Sequence, residues 1–190
     1  MKFIIETERL HLREVEYTDE ADLFEMDADP EVHLYIENKP VKSINEIKKI
    51  IEMLKKQYTE NGMARWAVID KLTNECIGWS GLKYFNQPLN NHNNFYELGY
   101  RFKKKHWGKG FATESSRAIL DYGFKNLDTD SIFAIVDPKN ENSKKVLNKL
   151  GFDFQETFDY EGDPTDWFEL KKTKWENKKP NQQQKKIAIE

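Results

Sequence analysis

From Asn94 to Val136 the chain runs from "NFYELGYRFK" through "KKHWGKG" into the helix-patterned "FATESSRAILDYGF" and then into "SIFAIV". No other stretch constrains the fold as much. "SIFAIV" is apolar at almost every position, as a central strand must be. Strand, helix and strand in succession imply a crossover connection. Upstream, "RWAVID" and "CIGWSGLKYF" read as strands joined by a turn through "KLTNE". With "NFYELGYRFK", which follows the Asn-rich loop at Gln87 to Asn94, they suggest an antiparallel meander.

The remaining elements frame this centre. Leu10, Leu12 and Val15 alternate with polar residues in "RLHLREV", a half-buried strand, and Thr18 or Asp19 is placed to cap a short helix through Met26. In "SINEIKKIIEMLKKQYTENG" the residues Ile44, Ile47, Ile50, Ile51, Leu54 and Tyr58 recur at helical steps between a Ser43 cap and a Gly62 stop. Ala112, Ser116, Ile119, Leu120 and Gly123 define the face of the crossover helix. A second short helix carries Val146, Leu147 and Leu150 and stops at Gly151, and two strands near "FDFQETF" and "DWFELKK" close the chain. The order predicts a mixed α/β fold, a mostly antiparallel central sheet with helices on both faces, and not a doubly wound parallel one.

The 190 residues, 38% hydrophobic and 33% charged, suit one compact domain over residues 1–175. Residues 176–190, "ENKKPNQQQKKIAIE", hold too little apolar surface to offset the entropy of ordering and read as a disordered polar tail. A net charge of −3 argues against coating nucleic acid, so any anion site must be local. Cys76 is the only cysteine, which excludes an intramolecular disulfide and a cysteine-built zinc cluster and fits a reducing cytoplasm. Charges from Glu6 onward leave no secretory leader at the start, and no stretch approaches a membrane span.

Gly108 and Gly110 fall between a strand ending near Lys103 and a helix starting near Ala112. Amides from Gly108 to Ala112 can there point into one concavity at a helix N-terminus, a receptor for phosphate oxygens, with Lys103, Lys104, Lys105 and Lys109 adding charge. The plainer alternative is a tight turn whose glycines supply unusual dihedrals and whose lysines are solvated. Neither the ATP-binding P-loop pattern nor the dinucleotide fingerprint is satisfied.

Three pieces, "ETERLHLRE", "ELGYRFKKKHWGKGFATES" and "DPKNENSKKVLNKLGF", together resemble the GNAT acyltransferase superfamily, in particular its ribosomal-protein N-acetyltransferase branch, over roughly residues 5 to 173. The resemblance implies the acyl-CoA N-acyltransferase fold, with the diphosphate of acetyl-CoA received by the loop. The family's motif of Gln or Arg, two residues, Gly, one residue, then Gly or Ala is filled by Lys105, Gly108 and Gly110. Lys105 departs from it by losing the planar fork of arginine. Cofactor contact is expected over Lys105, Trp107, Gly108, Lys109, Gly110, Phe111 and Ala112, and Arg101, Phe102 and Lys103 match the strand whose backbone pairs with the pantetheine arm.

Acetyl transfer to an amine requires a neutral amine, a stabilised oxyanion and a proton for the departing thiolate. By resemblance the acceptor attacks directly, in a ternary complex without a covalent enzyme intermediate, and Cys76 reads as a packed residue. Glu97 fills the family's acidic, hydrophobic, Gly, Tyr pattern and is the candidate base; the alternatives are an exposed strand glutamate or a structural ion-pair partner. Asn140 and Ser143 match the Asn-x-x-Ser that opens the next helix. Asn140 is implied to bond pantetheine amides, besides serving as a helix cap worth about 1 kcal/mol. Ser143 is implied to lie near the sulfur and to protonate it, because Leu147 stands where many relatives carry a tyrosine acid.

His106 reads as a solvated loop residue. His11, His33 and His92 have no metal-binding spacing, so acetyl-CoA is the expected co-substrate and no metal is called for. The acidic run Asp153 to Asp166 is either a solvated hairpin or a field that draws a cationic amine to the cleft. Trp66, Trp79 and Tyr84 either line that cleft or belong to the core. The expected acceptor is a peptide N-terminus, a polyamine or a small-molecule amine; nucleic acid and membrane are not expected partners, and a homodimer is left open. The rival is a non-catalytic CoA-sensing or partner-binding module.

Overall fold

A computed structural model describes residues 5–36 and 38–178. Its strands are β1 (Ile5–Glu6), β2 (Leu10–Arg13), β3 (Arg65–Asp70), β4 (Cys76–Phe85), β5 (Phe95–Phe102), β6 (Ser131–Val136), β7 (Asp153–Tyr160) and β8 (Asp163–Lys171). The helices are α1 (Glu20–Asp27), α2 (Pro30–His33), α3 (Ile44–Asn61), α4 (Phe111–Asn126), α5 (Glu141–Leu150) and α6 (Lys172–Lys178). The strands form one sheet in the order β1-β2-β3-β4-β5-β6-β8-β7. Every neighbouring pair is antiparallel except β5 and β6, joined by the α4 crossover. This is the mixed, mostly antiparallel sheet that the pattern predicts.

The periodic stretches fold as their spacing dictates. Ile47, Ile51, Leu54 and Tyr58 form the buried stripe of α3, while Ile44 stays exposed at its first turn. Gly62 ends the helix in the left-handed conformation, φ 68°. At the start, Glu46 accepts from the Ser43 hydroxyl and the Lys42 amide instead of receiving a direct serine cap. Phe111, Ser115, Ser116, Ile119, Leu120, Gly123 and Phe124 form the buried face of α4, and Leu147 and Leu150 that of α5.

Asp19 precedes α1 but does not cap it. Its carboxylate accepts two bonds from the buried Arg13 guanidinium, at 2.7 and 2.6 Å, and one from the Glu16 amide. The chain end differs from expectation in one visible respect. Trp175 is buried on α6, its indole N–H donating to Asp121 at 2.8 Å, and the helix runs to Lys178, past the expected tail boundary at 176. The rest of that tail, residues 179–190, lies outside the described residues.

Candidate functional site

The site begins where two strands part. β5 and β6 pair only at Tyr96 with Ile132 and at Glu97 with Phe133. β5 then continues to Phe102 along β4, and β6 continues to Val136 along β8, with no further pairing between them. From Leu98 to Phe102 the edge of β5 facing β6 therefore has no strand partner among the described residues. Backbone groups on such an edge retain hydrogen-bonding capacity that an extended ligand can satisfy.

The glycine turn lies at the end of this edge. Gly108 and Gly110 both have left-handed backbones, φ 73° and 84°, a region costly for other residues. A Cβ at Gly108 would meet nothing within 4 Å, and one at Gly110 only the Arg9 guanidinium at 3.5 Å. The turn is thus bare and open, and α4 starts at Phe111 without a side-chain cap. Arg9 braces it from β2's side, donating to the Lys109 carbonyl at 3.0 Å and to Glu114 at 2.7 Å and lying over the Phe111 ring at 4.5 Å. A groove beside the turn is lined by Gly110, Thr113, Glu114, Arg117 and Lys149 among others. Trp107 is half-exposed, its indole donating to the Phe102 carbonyl at 2.8 Å, and Ala112 is half-buried in the first turn of α4.

Three of the four lysines expected to charge this turn, Lys103, Lys104 and Lys105, are engaged elsewhere, and Lys109 is exposed. Lys103 Nζ is buried among Asp22, Glu25 and Glu75, at 2.7, 2.7 and 2.8 Å. Burial alone would depress its pKa, but bonds to the three carboxylates outweigh that and raise it. Glu75 answers in kind: its two lysine bonds overcome desolvation and hold its pKa at about 2. Lys105 pairs with Glu75 at 2.7 Å and Glu25 at 3.1 Å, and Lys104 with Glu31. Lys103 can therefore meet a cofactor only through its backbone. His106 is not solvated. It is buried with Glu75 at 3.6 Å, and desolvation lowers its pKa. Asp22, Glu25 and Glu75 are close enough to resemble a metal cluster, but the Lys103 ammonium lies among them.

Glu97 sits at the last paired position before the parting and is buried, which removes the exposed-glutamate alternative. Its carboxylate is ion-paired to Arg65, whose guanidinium also donates to the carbonyls of Gly81 and Glu97, each at 2.8 Å. Gly99 explains how the arginine reaches from β3 over β4 onto β5: a Cβ there would lie 2.6 Å from Arg65 Nη2. Trp79 is flanked by Arg65 at 5.3 Å and Arg101 at 5.2 Å, and Arg101 is anchored to Asp27 at 2.7 Å. Trp79 thus faces this side, half-buried. Trp66 is core, edge-on to Tyr122, and Tyr84 packs on Tyr96.

At the start of α5, Asn140 caps the helix by accepting from the Ser143 amide at 3.1 Å. Ser143 is half-buried and touches Tyr100 of β5, a residue given no role of its own from the sequence. Leu147, at the position where many relatives carry a tyrosine acid, is packed in the core. Cys76 is also core; burial pushes its thiol up to about 12, so it is no nucleophile. The acidic run forms the β7–β8 hairpin, turning at Glu161 and Gly162, with Asp153, Glu156, Asp159, Glu161 and Asp163 exposed and Asp166 buried against the Thr157 hydroxyl at 2.7 Å. Among the described residues, no helix is long and apolar enough to cross a membrane.

A strand pair that opens beside a bare glycine turn is the arrangement that the resemblance to the GNAT acyltransferases implies. The acetyltransferase (GNAT) domain family matches residues 9–153, and the chain belongs to that family as an acetyl-CoA-dependent N-acetyltransferase. It is 38% identical over 146 residues to uncharacterized N-acetyltransferase p20 of Bacillus licheniformis, covering 77% of this chain and 80% of that protein. A GNAT acetyltransferase from Bacillus anthracis shares the fold with a TM-score of 0.71 and 25% identity, covering 88% of this chain and 97% of that one. Spermidine N-acetyltransferase from Vibrio cholerae, solved with CoA and spermine, superposes with a TM-score of 0.71 at 22% identity, covering 90% and 100%.

Proposed function

We propose that the protein transfers an acetyl group from acetyl-CoA directly to a primary amine within a ternary complex, the acceptor being a polyamine, another small amine or a peptide N-terminus. The observation that carries this reading is the parting of β5 and β6 after Glu97, with an open glycine turn following β5. The amides of Gly108 through Ala112 hold the diphosphate, and the unpartnered edge of β5 up to Lys103 hydrogen-bonds the pantetheine arm. Asn140 adds a side-chain amide to that arm.

The acceptor amine meets the thioester where the strands part. Glu97, the buried carboxylate at that point, takes the ammonium proton through water. Nitrogen attacks the carbonyl carbon, the C–S bond breaks, and Ser143 supports the departing sulfur. A cationic acceptor is favoured by the exposed carboxylates of the β7–β8 hairpin and by the likeness to an enzyme solved with spermine.

The turn is tested by Gly108→Glu, which places a carboxylate where phosphate would lie. Calorimetry should show acetyl-CoA binding lost while the circular dichroism spectrum is unchanged; undiminished binding refutes the loop assignment. A panel of polyamines, small amines and peptides, read by CoA release and added acetyl mass, should yield at least one acetylated product. If every amine leaves release at background, a non-catalytic CoA-binding module becomes the better reading.

A further inference from the structure

Tyr100 lies on the stretch of β5 that β6 does not cover, and its ring packs into the main core. Its single phenol hydrogen has two acceptors within reach on Ser143, the carbonyl oxygen at 3.2 Å and Oγ at 3.0 Å, and in the shorter Oγ contact either hydroxyl can be the donor. The contact therefore joins the open strand edge to the first turn of α5. Burial raises the phenol's pKa, the Ser143 bond offsets part of the rise, and the charge of Glu97 adds to it, so the group keeps its hydrogen at neutral pH.

A serine hydroxyl is a weak acid, and its alkoxide is much less stable than a thiolate. Ser143 therefore serves a departing sulfur best as a hydrogen-bond donor, and a donor works only if its hydrogen points at the developing charge. A free hydroxyl rotor has several directions available. We propose that Tyr100 is the positioning residue for Ser143: in the active arrangement the phenol commits its one hydrogen to Ser143 Oγ, the nearer acceptor, rather than to the Ser143 carbonyl, which leaves the serine hydrogen free to point into the gap between β5 and β6.

This inference rests on the function proposed above. As the tetrahedral adduct collapses, the C–S electron pair moves to sulfur, which accepts the Ser143 hydrogen bond and gains its proton from water on release. The nitrogen gives up two protons in turn, the ammonium proton before attack and a second from the adduct as the amide forms, and Glu97 relays each to water. No proton leaves Tyr100, so its hydroxyl matters only through Ser143.

Tyr100→Phe keeps the ring and removes the donor. On an amine that the wild type acetylates, kcat should fall about tenfold, roughly the worth of one hydrogen bond. KM for acetyl-CoA and the calorimetric affinity for CoA should stay within about twofold, since the donor acts on the developing charge and not on the bound ground state. Ser143→Ala should cost about a hundredfold in kcat, and adding Tyr100→Phe to it should cost nothing more, because residues acting as one unit are non-additive. A purely structural tyrosine would instead show a loss that persists in the Ser143→Ala background or appears in CoA affinity. Either result, or full kcat in Tyr100→Phe, overturns the inference while leaving acetyl transfer intact. A wild type that binds acetyl-CoA and acetylates no amine overturns both readings.

Discussion

Gly99 is the position where one methyl group should have a disproportionate effect. Its φ is not in the left-handed region, so alanine adopts the backbone without strain. The added Cβ would, however, lie 2.6 Å from Arg65 Nη2 and 2.7 Å from Cζ, well inside van der Waals contact. Three bonds hold the guanidinium, to the Gly81 and Glu97 carbonyls and to the Glu97 carboxylate, so it cannot shift slightly. Gly99→Ala must expel it and strand a buried carboxylate. Breaking a buried pair in this way costs about 3–5 kcal/mol. The displaced arginine recovers some hydration, which puts the expected loss near the lower bound, about 3 kcal/mol.

Urea unfolding followed by tryptophan fluorescence measures this loss, and a thermodynamic cycle isolates its cause. In an Arg65→Ala/Glu97→Gln background the obstacle and the stranded charge are both gone, and Gly99→Ala should cost less than about 0.5 kcal/mol. The coupling should thus exceed about 2 kcal/mol. Equal costs in the two backgrounds, or a cost under about 1 kcal/mol in the otherwise native chain, would show that Gly99 is not there to admit Arg65.

Lys103→Met removes the ammonium from three carboxylates whose oxygens lie within 4.8 Å of one another, and should destabilise the fold at pH 7 by about 3 kcal/mol in urea titrations. Glu75 is held at about 2 against an ordinary 4.5 and Glu25 is also lowered, so their stabilising share is complete above 4.5 and disappears as pH falls toward 2. The gap between variant and wild type should accordingly narrow through that window; a gap constant with pH would refute the cage. Lys105→Met should leave the acetyl-CoA Kd within about threefold in calorimetry, because its ammonium is paired with Glu75 and Glu25. A loss of tenfold or more would restore the lysine to the phosphate site.

Local periodicity made most of the fold legible. The α3 stripe of Ile47, Ile51, Leu54 and Tyr58, the apolar run of β6 and the glycine stops at Gly62 and Gly151 follow from residues within a turn or two of each other. The bare turn at Gly108 and Gly110 was legible for the same reason, since positive φ is a local demand. Tyr100 was overlooked because its partner Ser143 is 43 residues away. The one available signal was its place in "ELGYRF": on a strand, residues two apart share a face, so Tyr100 points opposite Glu97. Gly99 was likewise a motif letter, and its reason, the Arg65 guanidinium, comes from β3.

Charge was the least legible property, for a reason that also bears on the chemistry. Lys103, Lys104 and Lys105 are contiguous and look like an anion-attracting patch, yet their partners Asp22, Glu25, Glu31 and Glu75 come from α1, α2 and the β3–β4 turn. Sequence spacing cannot reveal that neutralisation, because it depends on which loops the sheet order brings together. Once these lysines are paired, what remains for a phosphate is the uncapped start of α4, the open glycine backbone and the exposed Lys109. Amide dipoles fixed by φ/ψ need no rotamer ordering to meet an anion, whereas lysines tied to carboxylates must first break those pairs. On the function proposed above, a chain with a net charge of −3 hosts a diphosphate through geometry rather than charge excess, while the paired lysines fasten α1 and α2 to the segment that follows β5.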